Sequence, residues 1–322
     1  MKLETPIFVT FAAILTWSLL SVSGRVILLK YSLAPATFVF IQMLSGGMAL
    51  VLLSPKRIKT IGLMPLTQYH TWAFGGFRVV AASFYAGALI YLSAANLSFM
   101  GASNVTMSVL YVWFVLNRKP TLRELPGHII IVIMWVLLAL QFDGQFNNPG
   151  IWLLLVSQFI ITIAITLGET HPLNQSNNSG DTFYLTGMVL VASAAILLSL
   201  SYIASRFESQ LPSDFYPTIR AHVAGFILED LLNPAAWLLG IITGVSFRAA
   251  AIYYSLRAVK LTSSEFYLGS MAFMPFTNMA LEDIAMRFGF LPTVKLEFYQ
   301  ILFGSIICAA SLYIIYCKRA KR

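Results

Sequence analysis

"FRVVAASFYAGALIYLSAA" (Phe77–Ala95) and "FRAAAIYYSLRAVKLTSSE" (Phe247–Glu265) decide how this chain is organised. A shift of 170 positions lays Phe77 on Phe247, Arg78 on Arg248, Ala81 on Ala251, Phe84 on Tyr254, Ala88 on Ala258 and Ser93 on Ser263. Both stretches are long, apolar and helix-like, and each carries an arginine close to its middle. Read as an internal repeat, they divide the chain into two halves of similar plan.

The rest of the sequence agrees with a lipid-facing protein. Of 322 residues, 58% are hydrophobic and 11% charged, where a globular protein is about 25% charged. So few polar groups cannot cover a water-facing surface, whereas lipid accepts apolar side chains. Long unbroken apolar runs exclude a β-barrel, whose strands alternate. The expected fold is an all-α integral membrane protein with ten spans, at about 6–29, 34–53, 70–92, 96–117, 126–142, 149–168, 182–204, 235–258, 262–286 and 296–317. The first span is read as retained rather than as a cleaved signal.

Ten spans make two sets of five. The two repeats are expected at 1–145 and 146–322. Five is odd, so the second enters the membrane from the opposite side, as in transporters that hold substrate near the midplane between halves. Lys56, Arg57, Lys59, Arg118, Lys119, Arg123, Arg257, Lys260 and the "KRAKR" tail fall on one side, and the other side carries fewer, counted as Arg25, Lys30, Arg206, Arg220, Arg287 and Lys295. The positive-inside rule then puts both termini in the cytoplasm. The net charge of +8 reflects these loops and does not call for nucleic acid. Residues 205–234 form a longer outer connection. Its Ile219, Val223, Phe226, Ile227 and Leu231 recur at helical spacing, which predicts an amphipathic helix on the outer surface, with a lid over the cavity as the alternative.

Several motifs give the pattern a likeness. "AVKLTSSEFYLGSMAFMP" (Ala258–Pro275) has a first-half counterpart in "ALIYLSAANLSFMGASNV" (Ala88–Val105), with Val105 where a proline would stand. "RKPTLRELPG" ends on Gly127, and "LTWS" spans Leu15–Ser18. Together these resemble the drug/metabolite transporter superfamily, EamA type. The resemblance implies ten helices and carrier-mediated movement of small metabolites, and names no substrate. The chain departs from that pattern in having Arg118 where the family usually has Glu, and in the apparent insertion at 217–232.

The ionisable residues sharpen the question. A mid-membrane arginine costs at least about 2.5 kcal/mol on insertion scales. Arg78 and Arg248 therefore either form a cationic pair that grips an anionic substrate group, or pair with acids for structure alone. Trp17 and Tyr254 could stack on a substrate. Gln42, Asn104, Gln158 and Asn278 either line a cavity or join helices. Glu282 and Asp283 are read as a charged helix end near the outer interface, with Asp283 able to pair with Arg287 four residues on. The alternative makes Glu282 and Asp283 an outer gate or coupling site. Glu169 and Glu265 read as solvated helix ends.

Cys308 and Cys317 lie nine positions apart on one apolar segment and cannot bridge. His70, His128, His171 and His222 show no metal spacing, and no phosphate-cradling Gly-Lys-Ser/Thr loop is present. No cofactor, metal or enzyme chemistry is expected. The reading that follows is a secondary transporter of a small, anionic or zwitterionic metabolite in the cell membrane, of bacterial inner-membrane type. The expected partners are that substrate, the bilayer and, as a candidate, a second copy in a homodimer. A non-transporting sensor or partner-binding subunit is the alternative.

Overall fold

The computed structural model describes residues 5–142, 145–176, 178–207, 228–292 and 297–319. Helices occupy each of the ten apolar stretches, and no strand occurs among the described residues. α1 is Pro6–Tyr31 and α2 is Pro35–Leu52. Two short helices, α3 (Pro55–Thr60) and α4 (Met64–Thr67), lead to α5, Tyr69–Tyr91. The fourth stretch is broken into α6 (Ala94–Gly101) and α7 (Asn104–Leu116). α8 (Leu125–Ala139), α9 (Pro149–Thr170) and α10 (Ser179–Phe207) follow. After α11 (Leu228–Leu232), the eighth stretch is α12 (Pro234–Thr243), a π-turn at Gly244–Arg248, and α13 (Ala249–Leu261). The ninth is α14 (Ser264–Ser270), a 3-10 turn at Met271–Phe273, and α15 (Met274–Arg287). α16 is Phe298–Arg319.

Eight of these stretches are long and apolar enough to cross a membrane. α8 has only 15 residues. The ninth stretch carries Glu265, Glu282, Asp283 and Arg287 and is not among the eight. The protein is an all-α, multi-pass membrane protein on this evidence of length and composition.

Local chemistry sets the helix ends. Proline stands in the first turn of α1, α2, α9 and α12, where its missing N–H costs nothing. Asn148 and Asn233 accept from Gly150 N and Ala235 N, both at 2.9 Å, and so cap α9 and α12. Ser93 and Ser263 cap α6 and α14 in the same way, accepting from Asn96 N and Phe266 N. α1 and α7 stop at Ser32 and Asn117, whose φ values of 49° and 56° leave the helical region. Trp72, Trp152 and Trp237 donate their indole N–H to the carbonyls of Leu66, Phe146 and Leu231, each six residues back. These rings pin the loop that enters each helix.

Packing follows a paired scheme. α5 packs on α9, and α1 packs on α13; α2 packs on α10, and α8 on α16. α6 meets α15 while α7 meets α14, and α15 reaches α1 as α7 reaches α9. Without a hydrophobic drive between helices in lipid, close contact depends on small residues. A Cβ on residue 46 would lie 2.5 Å from the Gly244 carbonyl oxygen. One on residue 47 would lie 2.8 Å from Val191 N. These two glycines therefore let α2 lie directly against both the π-turn and α10.

Two expectations change here, and a third falls mostly outside the described residues. Arg25 was counted with the outer loops, but α1 continues to Tyr31 and Arg25 is buried within it. The fourth and ninth stretches are interrupted near their middles rather than continuous. The amphipathic helix predicted over 205–234 falls mostly on 208–227, outside the described residues. What is described is α11, whose Asp230 Oδ2 accepts from Ala34 N at 2.7 Å and so ties this segment to the start of α2.

Candidate functional site

A cavity of about 130 Å³ lies among α1, α2, α5, α6, α9, the π-turn and the ninth stretch. Six of the eight residues singled out as substrate-binding candidates line it: Trp17, Gln42, Arg78, Asn104, Gln158 and Arg248. Much of the remaining wall is apolar, including Leu28, Phe38, Leu89 and Met274.

Arg248 reaches the cavity from the last position of the π-turn. Such wide turns re-aim a side chain and recur at functional sites. Gln42 Oε1 accepts from Arg248 Nη2 at 2.7 Å and from Nε at 3.3 Å. Gln42 is itself held, donating from Nε2 to Thr243 Oγ1 at 2.9 Å. Arg248 is thus fixed by one edge of its guanidinium.

Arg78 is held differently. Its guanidinium carbon sits 4.9 Å from the centre of the Trp17 ring and 6.0 Å from that of Phe74. Such a contact attracts the cation by its face and leaves the in-plane N–H groups unused. The Trp17 ring is itself fixed, because its Nε1 donates to Ser255 Oγ at 2.9 Å. Tyr267 Oη lies 2.6 Å from the same Ser255 oxygen. Neither cavity arginine has a carboxylate partner among the described residues. Both are buried, at 3% and 6% exposure.

Asn104 and Gln158 are joined by an amide–amide hydrogen bond between α7 and α9. Ser157 Oγ donates to the Ala81 carbonyl at 2.8 Å, which sets this part of α9 level with a point one turn along α5 from Arg78.

Tyr254 and Asn278 lie outside the lining. Seven residues separate Ser255 from Arg248, almost two full turns, so Ser255 shares the arginine's face and Tyr254 is rotated about 100° off it. Tyr254 packs instead beside the Val9–Ala13 cluster. Asn278 is fully buried one turn beyond Met274, and donates to Ala94 O at 3.0 Å and to Ser98 Oγ. It joins α15 to α6.

The acidic residues are also redistributed. Glu282 was expected near water at a helix end, yet it is 5% exposed. Its Oε1 accepts from Arg25 Nη1 at 2.7 Å and from Ala94 N at 2.9 Å, and its Oε2 accepts from Ala95 N at 3.2 Å. The carboxylate closes the N-terminus of α6, where the helix dipole favours negative charge. It faces this ion pair and does not line the cavity. Asp283, one residue on, is rotated to an exposed face and pairs with Arg287 at 2.8 Å. Glu169 is no free helix end either. It binds Arg118 Nη1 at 2.8 Å and accepts from Ser264 N at 3.0 Å, at the N-terminus of α14.

Tyr85 and Tyr267 escaped the sequence reading. Tyr85 and Tyr267 line the cavity, and Tyr85 Oη lies 3.2 Å from Ser21 Oγ. Tyr85 falls inside the quoted repeat almost two full turns beyond Arg78, which was the available signal. His171, just past α9, is buried. Its Nδ1 accepts from Leu173 N at 3.2 Å, while Thr71 Oγ1 lies 3.1 Å from Nε2. Burial, and then the neighbouring His70, push its pKa down to about 4. No group of metal ligands occurs among the described residues.

No protein-family model and no curated protein matches the chain. A solved structure described only as "Crystal structure of protein" is similar to it in fold, with a TM-score of 0.62 and 17% identity. The likeness covers 98% of this chain and 99% of that one.

Proposed function

We propose that the protein is a secondary transporter that carries a small metabolite with an anionic group by alternating access. The observation that carries this reading is the meeting of Arg78 and Arg248, at equivalent places in the sequence repeat, on one cavity with no carboxylate among the described residues to neutralise them. Charged groups are kept at membrane depth at considerable cost, and by default for function. A guanidinium suits carboxylate or phosphate oxygens.

The architecture we infer is ten spans in two inverted five-helix repeats, divided near residue 145. The packing scheme supports it. Exchange first-half for second-half helices throughout, and α5 on α9 becomes α13 on α1, while α2–α10 and α8–α16 map onto themselves. The breaks agree as well: shifting Ala102 by 170 reaches Ala272, inside the 3-10 turn. Ser93 and Ser263, the matched caps, open the two broken helices. This arrangement is similar to that of EamA-type carriers, to which the sequence motifs already pointed.

Alternating access requires a closure at each end, and the buried Glu282 and the partly buried Glu169 supply candidates. Arg25–Glu282 sits at the start of the α6–α7 stretch and Arg118–Glu169 at its end. The 23 residues between Ala94 and Leu116 separate them by about 35 Å. In each, the acid also caps a broken helix, α6 or α14. The repeat exchanges the charges: the first and sixth stretches contribute Arg25 and Glu169, and the ninth and fourth contribute Glu282 and Arg118. With the N-terminus in the cytoplasm, Arg118–Glu169 closes the inner end and Arg25–Glu282 the outer.

Reconstituted vesicles test the proposal. Accumulation of an anionic metabolite that requires Arg248 supports it. Binding without flux would favour a sensor built on the same fold.

A further inference from the structure

Resting on the carrier reading, we propose that the substrate is a small hydroxylated carboxylate on an apolar skeleton. Three features of the cavity combine to define that class.

The first is the anion site. Arg248 spends one edge on Gln42, whereas Arg78 stacks by its face and keeps its in-plane donors. One carboxylate accepts a two-pronged bond from Arg78 and a further one from the unused nitrogen of Arg248. Each arginine already has an uncharged partner, a ring or an amide oxygen, and among the described residues no second cluster of cations lines the cavity to hold another acidic group.

The second is the amide pair. Asn104 is 9% exposed, yet its Oδ1 has no hydrogen-bond partner. A buried acceptor left in this way costs free energy until something donates to it. The bond to Gln158 leaves one amide oxygen and one amide NH₂ unused between the two side chains. Turning both amides round exchanges which residue offers which and still leaves one of each. A hydroxyl both donates and accepts, so it completes either arrangement. An ammonium only donates, and no described acid lines the cavity to balance its charge. The bond from Ser157 to the Ala81 carbonyl sets the backbone beside Gln158 about one turn, or 5 Å of helix rise, along α5 from the Arg78 backbone, so the amide pair and Arg78 serve neighbouring groups of one ligand.

The third is the wall. Leu28, Phe38, Leu89 and Met274 surround the remaining space. A volume of about 130 Å³ suits a short branched skeleton.

The test uses the purified full chain and a matched set of probes: 2-hydroxy-4-methylpentanoate, 4-methylpentanoate, leucine, malate and 3-methylbutyl phosphate. Affinity is read by calorimetry in detergent, and flux by exchange in vesicles. The hydroxy acid should bind at least about tenfold tighter than its deoxy analogue, because the analogue leaves the amide pair unsatisfied. Asn104→Leu should erase that ratio while retaining binding of 4-methylpentanoate, and Asn104→Ser, a smaller change, should narrow it. Tighter binding of leucine, malate or the phosphate would overturn the class, as would equal binding of the two acids or no binding of any probe. Hydroxy-acid binding with no flux would leave the class standing and sink the carrier reading. Flux of another probe would do the reverse.

Discussion

Arg25 Nη1 lies 2.7 Å from Glu282 Oε1, joining the first long helix to the ninth stretch across 257 positions of sequence. Both side chains are almost wholly buried, at 11% and 7% exposure. Removing one partner of such a pair strands the other, at about 3–5 kcal/mol. Arg25→Met should therefore lower the unfolding midpoint in detergent sharply. Arg25→Met/Glu282→Met should recover part of the loss, and not all, because α6 also loses its cap. A double variant no more stable than the single one would show that the pair is not coupled.

Asp283, beside Glu282, should behave in the opposite way. Its pair with Arg287 is exposed, 53% and 77% on the two side chains. Exposed i,i+4 pairs contribute about 0.3–0.5 kcal/mol. Asp283→Asn should leave the melting curve and any transport within experimental error, whereas Glu282→Gln alters both.

Arg248 depends on its orientation as well as its charge. Arg248→Lys keeps the charge and loses the fork, so affinity for an anionic substrate should fall about tenfold or more in binding assays, with insertion unchanged. Gln42→Ala releases the guanidinium and should reproduce part of that loss without touching charge. Normal affinity in both variants would remove the anion site from consideration.

His171 predicts a pH dependence of stability. Its folded pKa, about 4, lies below the ordinary value of about 6.5. The unfolded chain thus binds a proton that the folded chain refuses. Stability is full above pH 6.5 and falls as the pH drops from there toward 4, by up to about 3 kcal/mol. Melting measured at pH 7.5 and at pH 5 should show the fall in wild type. His171→Gln, which keeps hydrogen-bonding capacity and cannot titrate, should show less of it.

Membrane orientation is open to single-cysteine labelling in a background lacking Cys308 and Cys317. Cysteines at Lys56 and Arg123 should react only when reagent reaches the cytoplasmic side, and one at Lys30 only from outside. Labelling of Lys30 from within would reverse the assignment of the two ion pairs to their ends.

Much of this was legible in the sequence for a plain reason: lipid leaves a backbone few options. An apolar run of about 20 residues in a membrane is a helix, because nothing else satisfies its N–H and C=O groups. The ten stretches and the matched arginines could be read without coordinates. Asp283 and Arg287 were readable too, since their pairing depends only on helical spacing within one element. The sequence did not reveal what each buried side chain faces. Helical rotation separates Ser255 from Tyr254, and only the π-turn before Arg248 sets its starting angle. Arg25 was counted with the outer charges until α1 was seen to bury it against Glu282. Glu282 looked like a helix end until Arg25 and the amides of Ala94 and Ala95, more than 180 positions away, closed around it. Partners so distant are chosen by which helices pack together, and that choice depends on the whole bundle rather than on any stretch of it.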